Sequence, residues 1–330
     1  MADRVRMSDV ARVAEVSKTT VSLVLNEIPG VRIPEGTRAR IFRVARELGY
    51  RHRPAQHHDE DQPITSVGVL INEISASYPI NLLDGLQIAA EQRDIQLIIQ
   101  MNGAGPEQER DALRNFHRLG ITGVIYATTF HAEVEPCVEL DRFRHVFLNC
   151  RRREGDGHAV VSDEYASGQA AARILLGSRA TRIATLTGDP WQVATRERLS
   201  GFQDTLALAG LEPIAVEAAN WSHALARAAT EQLLAQGARL DGLFCQNDIM
   251  ARGAYAALRA AGIRVPQDVC VVGHDDREFA ADLEPPLTTL TMAHADMAEL
   301  ALERLLGGEA LGDRIEALAG ETILRGSSVR

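Results

Sequence analysis

The sequence predicts an α/β protein with an N-terminal helix-turn-helix domain, followed by a two-lobed domain of doubly wound parallel sheets. Three observations lead to this fold class. Two short amphipathic helices, each with a capping residue, fit between residues 8 and 26. From residue 66 onward, short apolar runs alternate with helical periodicity, and the alternation restarts after residue 163. Finally, 330 residues are too many for one ordinary core, so two or three domains are expected.

The N-terminal helix pair is predicted from caps and apolar spacing. Ser8 is expected to cap the first helix and Ser17 the second, each through its side-chain hydroxyl. Both helices carry an apolar stripe at helical spacing, formed by Val10, Val13 and Ala14 and then by Val21, Val24 and Leu25. Only Glu15 and Val16 separate the helices, so the two helices must cross at a steep angle. A capped helical hairpin in another kind of helical domain would give the same pattern.

The outward face of the second helix carries groups that suit DNA. Lys18, Thr19, Ser22 and Asn26 are small or cationic hydrogen-bonding residues near a helix N-terminus, and such side chains can enter a major groove. Residues 1–58 contain 11 Lys and Arg against 6 Asp and Glu, a net charge of +5. The remaining residues contain 24 against 39, a net charge of −15. A basic N-terminal segment on an acidic body would favour DNA binding by that segment, because its charges attract the phosphates. A basic surface that only contacts solvent would give the same net charge.

The body of the chain alternates between strands and helices. The predicted strands include residues 67–71, 97–99, 123–126, 145–148, 182–186, 214–216, 242–245 and 269–273. The predicted helices include residues 82–90, a helix opening at Pro106, and residues 170–176, 199–209, 224–234 and 249–260. Strict alternation indicates parallel sheets covered on both faces, and two such runs predict two similar lobes. Ligands bind such folds at the carboxyl ends of the strands, which here means the cleft between the lobes.

Composition and motifs argue against several other classes of protein. The first six residues form no apolar signal segment, and no apolar run is long enough to cross a bilayer, so we expect a cytoplasmic protein with no membrane partner. The four cysteines show no paired spacing and the ten histidines no metal-ligand spacing, so we expect no metal and no cofactor. The chain has no nucleophile elbow and no phosphate-cradling glycine loop, so we expect no enzymatic activity.

The N-terminal segment resembles the DNA-binding headpiece of the lactose/galactose repressor family of bacterial transcriptional regulators. The matching runs are residues 9–14, 16–22, 24–26, 29–33, 35–41 and 47–50. In that family the later runs form a third helix, which Thr37 would cap. The DNA contacts implied by the resemblance are Ser8, Ser17, Lys18, Thr19, Thr20, Ser22, Leu23, Asn26, Arg32 and Tyr50. Lys18 and Thr19 are the expected base contacts, whereas Ser17, Thr20, Ser22 and Asn26 are expected to hold the phosphate backbone.

The resemblance extends to the body, as a periplasmic-binding-protein-like effector domain. It implies a headpiece at residues 1–50, a hinge or linker at 51–65, and an effector-binding and dimerisation domain at 66–330. Within that domain, one lobe would comprise about residues 66–161 and 292–322, and the other about residues 162–291 and 323–330.

Recurrent motifs of that domain mark the expected effector site. They are matched at residues 196–202, 247–248, 271–276 and 285–289. The effector contacts implied by the resemblance are Arg198, Asn247 and Asp275, then Arg151 and Asp163, with Tyr78 and Trp191 as stacking residues. Arginine, asparagine and aspartate together supply the paired donors and acceptors that vicinal sugar hydroxyls require. Alternatively, Asn247 and Asp275 would only cap helices, and Arg198 would be a surface charge.

Four features depart from the family pattern. Glu15 stands where a turn glycine is usual, and Leu23 stands where many relatives carry a base-reading arginine. The linker contains no leucine between Tyr50 and Ile64, although relatives insert a hinge leucine into the minor groove there. Met292 replaces a polar residue that often contacts the effector.

These features predict a ligand-responsive transcriptional regulator, expected to be a repressor. It would bind a near-palindromic double-stranded operator as a homodimer, lie on the nucleoid when bound, and respond to a small molecule, expected to be a carbohydrate. Two alternatives share the two-lobed body. One is a cytoplasmic sugar-binding protein with weak or non-specific DNA binding, which the unusual linker would explain. The other is a solute-binding receptor, which the headpiece and the missing signal segment argue against. Whether the effector induces or co-represses stays open.

Overall fold

The computed structural model describes residues 7–25, 33–48, 50, 64–74, 81–103, 105–154, 157–307 and 311–329. The chain separates into two compact units, residues 1–63 and 64–330. The predicted fold class is confirmed, with three helices in the first unit and parallel sheets in the second.

The N-terminal unit contains α1 (Met7–Val13), α2 (Lys18–Leu25) and α3 (Glu35–Glu47). Its core consists of apolar side chains at the predicted helical spacing, and the fully buried members are Val10, Ala14, Val21, Val24 and Ile41. Glu15, in the turn between α1 and α2, has a φ of 51°, so this side chain occupies a backbone conformation that favours glycine. Such a conformation costs about 1 kcal/mol for a residue with a Cβ.

One of the three predicted caps in this unit agrees with the structure. Ser17 precedes α2, and its Oγ accepts a hydrogen bond from the Thr20 backbone N–H at 3.0 Å. Ser8 instead lies in the first turn of α1, and Thr37 lies in the first turn of α3, so both predicted caps are wrong. At α3 the Pro34 carbonyl accepts the N–H of Thr37 at 2.9 Å, because the helix begins earlier than the sequence suggested.

The first lobe of the C-terminal unit is built on a six-stranded parallel sheet. Its strands are β1 (Ser66–Ile71), β2 (Gln96–Met101), β3 (Gly123–Val134), β4 (Arg144–Arg152), β5 (Ala159–Ser162) and β11 (Ile315–Leu318), in the order β11-β5-β4-β3-β1-β2. Its helices are α4 (Asn81–Glu91), α5 (Pro106–Arg118) and α10 (His294–Leu306). Helices α4 and α10 cover one face, and α5 covers the other, so each sheet face has its own apolar core.

The second lobe is built on a four-stranded parallel sheet. Its strands are β6 (Ile183–Thr187), β7 (Ala215–Ala218), β8 (Gly242–Cys245) and β9 (Cys270–Val272), in the order β7-β6-β8-β9. Its helices are α6 (Glu164–Gly177), α7 (Val193–Leu208), α8 (His223–Ala235) and α9 (Asp248–Ala260). Helices α6 and α7 cover one face, and α8 and α9 the other. A short antiparallel pair, β10 (Thr289–Leu290) and β12 (Thr322–Ile323), lies beside the lobe.

The chain passes between the lobes after β5, before α10 and after β11. The carboxyl ends of β3, β5, β8 and β9 therefore lead into the region between the two sheets. Among the residues described above, no helix is long and apolar enough to cross a membrane.

Candidate functional site

The exposed face of α2 is the candidate DNA-contacting surface. Lys18 and Thr19 are exposed, whereas Ser22 and Leu23 are half-buried beside the core residues Val21 and Val24. The hydroxyls of Ser17 and Thr20 lie 2.8 Å apart, so both side chains also serve the start of the helix. Ser8 is exposed on α1, and Tyr50 packs against the core of this unit. The predicted contacts at Asn26 and Arg32, and the linker residues 51–63, lie outside the described residues.

A cavity of about 150 Å³ lies between the two lobes of the C-terminal unit. Both lobes contribute to its wall. The lining residues are Phe130 and His131 from the first lobe, Glu164, Gln192, Ala194, Arg198, Trp221, Asn247, Ile249, Asp275 and Arg277 from the second, and Met292 from a crossover. The wall thus combines apolar surfaces with a few polar side chains, as small-molecule sites usually do.

The centre of the second-lobe wall is a buried ion pair. Arg198 Nε donates to Glu164 Oε2 at 2.6 Å, and Arg198 Nη1 donates to the carbonyl of Gln246 at 2.5 Å. Trp221 covers the guanidinium, with its ring centroid 5.8 Å from the Arg198 carbon. Only 3% of Arg198 and 1% of Glu164 are exposed. The guanidinium is therefore neutralised by the protein itself.

Close packing of α6 against α7 makes this ion pair possible. A Cβ added at Gly168 would lie 2.0 Å from the Arg198 carbonyl oxygen, and a Cβ added at Gly201 would lie 2.1 Å from the Tyr165 carbonyl oxygen. Glycine at both positions lets the two helix backbones meet. Because Glu164 opens α6 and Arg198 lies in the second turn of α7, this approach brings their side chains together.

Buried polar groups surround the ion pair. Burial raises the pKa of Glu164, but the Arg198 guanidinium and nearby His274 outweigh burial and bring this pKa down to about 2. Burial lowers the pKa of His131 and His274, and it lowers the pKa of His294 to about 4. The described part of the chain offers no hydrogen-bond partner to several of the buried atoms here, which include both ring nitrogens of His131, Glu164 Oε1, Thr195 Oγ1, Trp221 Nε1, His274 Nε2 and His294 Nε2.

Three of the predicted effector contacts lie in the cavity wall. Arg198 is held as described above. Asn247 caps α9, with its Oδ1 accepting the Met250 N–H at 2.8 Å, while the residue also faces the cavity. Asp275 has a φ of 108°, and its Oδ1 lies 3.1 Å from His274 Nδ1. Met292, the departure from the family pattern, adds an apolar surface to the same wall.

The other predicted effector contacts lie elsewhere. Asp163 is the N-cap of α6 and accepts the Ala166 N–H at 2.8 Å, so its position suits a structural role. Arg151 Nη2 donates to Glu133 Oε1 at 3.0 Å and lies 3.8 Å from Glu197 Oε1 on α7, so it bridges the two lobes. Trp191 is 74% exposed and does not line the cavity. Tyr78 lies outside the described residues.

Sequence reasoning missed several of the lining residues. Phe130 and His131 lie within a register shift of β3, between Ala127 and Ala132, which no sequence pattern predicted. Glu164 follows the predicted contact Asp163 directly, and Trp221 is the second tryptophan of the chain. The sequence did offer one signal for Trp221, because it follows a strand of the second lobe, as Trp191 does.

Comparisons with known proteins agree with both units. A family model described as "Bacterial regulatory proteins, lacI family" matches residues 6–52, and one described as a periplasmic binding protein-like domain matches residues 172–328. The ribose operon repressor of Haemophilus influenzae is 26% identical over 306 residues, covering 91% of this chain and 90% of that protein. The HTH-type transcriptional repressor PurR of Vibrio cholerae is 27% identical over 305 residues, with the same coverage.

Solved structures of similar proteins cover nearly the whole chain. A lac repressor dimer bound to operator and the anti-inducer ONPF has a TM-score of 0.70 and 25% identity, covering 99% of this chain and 100% of that one. A complex of the transcriptional regulator CelR with cellobiose has a TM-score of 0.66 and 26% identity, covering 98% and 100%.

Proposed function

The chain belongs to the lacI family of bacterial regulatory proteins, and from this membership we propose that it acts as a homodimer whose affinity for a near-palindromic operator is set by a sugar in the cavity between its lobes. It is a DNA-binding transcriptional regulator that responds to a small molecule, and its relatives include two transcriptional repressors and a regulator in complex with cellobiose. Those relatives are repressors rather than enzymes. The observation that carries the proposal is the cavity itself, because both lobes line it and it carries hydrogen-bonding groups beside aromatic rings.

DNA binding is assigned to α2. We expect Lys18 and Thr19, the exposed residues at its start, to contact base edges, and Leu23 to contact a thymine methyl group at most. The Ser17 cap fixes the N-terminus of α2, where backbone N–H groups favour a phosphate. This face therefore supports sequence-specific binding with few side chains.

Homodimerisation is supported by an apolar strip at one edge of the first lobe. Strand β2 ends the six-stranded sheet, and its Ile99 and Met101 are 42% and 47% exposed. Ile88 on the neighbouring α4 is 57% exposed. Open sheet edges with apolar side chains are normally covered, and a second copy of the chain would cover this one symmetrically. Two headpieces in one dimer would then match two operator half-sites.

Effector control is expected to be a shift between lobe arrangements. Arg151 already links the first lobe to Glu197 of the second, so the arrangement described here has a contact between lobes that an effector can favour or oppose. An effector changes operator affinity only as far as it binds one arrangement more tightly than the other.

The test is selection of genomic DNA fragments by the purified full-length protein at physiological salt, with and without added monosaccharides. We expect enrichment of one short palindrome and a change in its recovery with a sugar. Lys18→Ala should remove the enrichment, while Arg114→Ala, an exposed change on α5, should not. Binding that is sequence-blind and falls steeply with salt would show phosphate contacts alone and would contradict the proposal.

A further inference from the structure

Asp248, the first residue of α9, carries a buried carboxyl group where three segments of the second lobe meet. Thr289 Oγ1 of β10 donates to its Oδ1 at 2.7 Å, and the backbone N–H of Arg277 donates to its Oδ2 at 2.7 Å. A Cβ added at Gly273 would lie 2.2 Å from Oδ1, so the protein packs directly against the carboxyl group. Because Asp248 is 0% exposed, bulk water does not solvate its charge.

The groups that surround Asp248 are largely neutral near pH 7. Both of its hydrogen bonds come from neutral donors, a hydroxyl and a peptide N–H. Burial raises the pKa of Cys245 and Tyr255 and lowers that of His274, so these three side chains carry no charge at neutral pH. The titratable and charged groups around the carboxyl group are Cys245 of β8, Tyr255 of α9, and His274, Asp275, Asp276 and Arg277 of the segment after β9.

One neighbouring charge opposes ionisation of Asp248. Arg325 Nη2 donates to Asp276 Oδ1 at 2.7 Å, so the charge of Asp276 is compensated. Asp275 Oδ1 instead lies 3.1 Å from Nδ1 of the neutral His274, so its charge acts on Asp248. Burial and this charge raise the pKa of Asp248 to about 7, although its two hydrogen bonds lower it in part. The proton is therefore exchanged within the neutral pH range.

The proton decides how firmly Asp248 holds its neighbours. A proton on Oδ1 reverses the bond to Thr289, whose hydroxyl can donate or accept, so the neutral form keeps both contacts. The ionised form keeps them only against burial and the repulsion of Asp275, so it favours an arrangement in which the carboxylate is solvated. Strand β10 leads into the crossover before α10, and Asp275 and Arg277 line the cavity between the lobes. A change at this carboxyl group therefore reaches the connection between the lobes.

We propose that Asp248 is a proton-sensitive anchor for this crossover. With its proton, Asp248 holds β10 and residues 275–277 against α9, as described here. Without the proton, both segments loosen and the lobes change their arrangement. A further consequence rests on the proposed function, since operator affinity then depends on pH through a group in the second lobe.

The fluorescence of Trp221 tests the change in arrangement. Trp191→Phe in the full-length protein leaves Trp221, in the cavity wall, as the only tryptophan. We expect its emission to move to longer wavelength between about pH 5.5 and pH 8.5, with a midpoint of about pH 7, because loosening exposes the ring. Adding Asp248→Asn should abolish the change, since an amide does not ionise. No change with pH, or the same change in Asp248→Asn, overturns the proposal.

Two further variants test the assignment through the midpoint. Asp275→Asn removes the neighbouring charge and should lower the midpoint, whereas Thr289→Val removes a hydrogen bond to the ionised form and should raise it. A group that serves only packing would not give opposite shifts. Burial lowers the pKa of His131, His274 and His294, so their titration falls at lower pH. Equal midpoints in both variants, or shifts in the reverse directions, overturn the assignment.

Operator binding tests the regulatory consequence. The probe is a palindromic DNA fragment from the genomic selection described above, and its affinity is measured at pH 6 and pH 8. We expect the wild type to differ between the two pH values by at least about threefold, and Asp248→Asn to lose that difference. An equal difference in both proteins overturns this consequence, since the titrating group then lies elsewhere. The fluorescence measurement needs no operator, so failure of the proposed function and failure of the anchor are distinguishable.

Discussion

At the residue scale, Arg198 is a predicted effector contact that the fold itself already uses. The family motif marks it as an effector contact, yet the protein itself uses its guanidinium to bind Glu164 and the Gln246 carbonyl. Loss of effector response in an Arg198 variant would therefore not identify a ligand contact, because the variant would also leave Glu164 buried and unpaired.

We predict that Arg198→Met lowers the free energy of unfolding by about 3–5 kcal/mol, the cost of leaving one member of a buried ion pair without its partner. Adding Glu164→Gln should restore a substantial part, since the double variant has no buried charge here. Urea unfolding of both variants measures this. Arg264→Met, which breaks an exposed pair with Asp268, is the control and should change stability far less. Equal stability of Arg198→Met and the wild type would contradict the prediction.

Asp248 provides a pH-dependent prediction. It is fully buried, and burial and the neighbouring Asp275 raise its pKa from 3.8 to about 7, although hydrogen bonds from the Arg277 N–H and Thr289 lower it in part. The unfolded chain ionises this group above about pH 4, whereas the folded protein keeps the proton until about pH 7. Its contribution to stability is therefore present at low pH and is lost as pH rises through 7.

Asp248→Asn removes this titration while keeping a shape that can bond Thr289 and the Arg277 N–H. We expect the stability of Asp248→Asn relative to the wild type to rise between about pH 4 and pH 7, and to level off above that. Urea unfolding across this pH range measures the difference. A flat profile for Asp248→Asn would refute the prediction.

At the element scale, two glycines decide how α6 meets α7. A Cβ at Gly168 would overlap the backbone of Arg198, so Gly168→Ala must push the helices apart. We expect a loss of about 1–3 kcal/mol in the free energy of unfolding. We also expect weaker effector binding, because Glu164 lies on α6 and lines the cavity. Gly177→Ala, in the last turn of the same helix, meets nothing within 4 Å and should be neutral or slightly stabilising. Similar effects of the two variants, measured by thermal unfolding and calorimetry, would contradict this account.

Elements with strong local signals were predictable from the sequence. The apolar run 242–245 coincides with β8, and Pro106 opens α5 as expected. Strands β5 and β11 were missed because they lie at one end of the six-stranded sheet, where pairing with each other defines them as strands. The residues of the cleft were partly predictable, because polar residues that directly follow parallel strands indicate a ligand-binding site. Two features depend on tertiary packing and were not predictable. One is the register shift in β3 that places His131 in the cavity wall, and the other is the exposed position of Trp191, outside the cavity.

At the scale of the whole molecule, the relevant features are the unequal charge of the two parts of the chain and the surface proposed for the symmetric dimer. The basic head and the acidic body follow from sequence alone, and the family comparisons agree with a DNA-binding head. Residue counts could not indicate a candidate surface for joining two copies, since exposure along an edge strand depends on strand order. Strand β2 lies at the edge of its sheet only because β1 pairs with β3 on its other side.

The proposed dimer gives the last prediction. Ile99→Lys combined with Ile88→Lys places two charges in the apolar strip, and burying them in a symmetric interface would be costly because each contact occurs twice. We expect the variant to sediment as a monomer at concentrations where the wild type is dimeric. It should also lose much of its affinity for a full palindrome while keeping weak half-site binding, because the two heads are no longer joined. Leu208→Lys, at an apolar side chain of α7 that is 90% exposed, is the control and should remain dimeric. A double variant that stays dimeric and binds the palindrome normally would place the dimer interface on another surface.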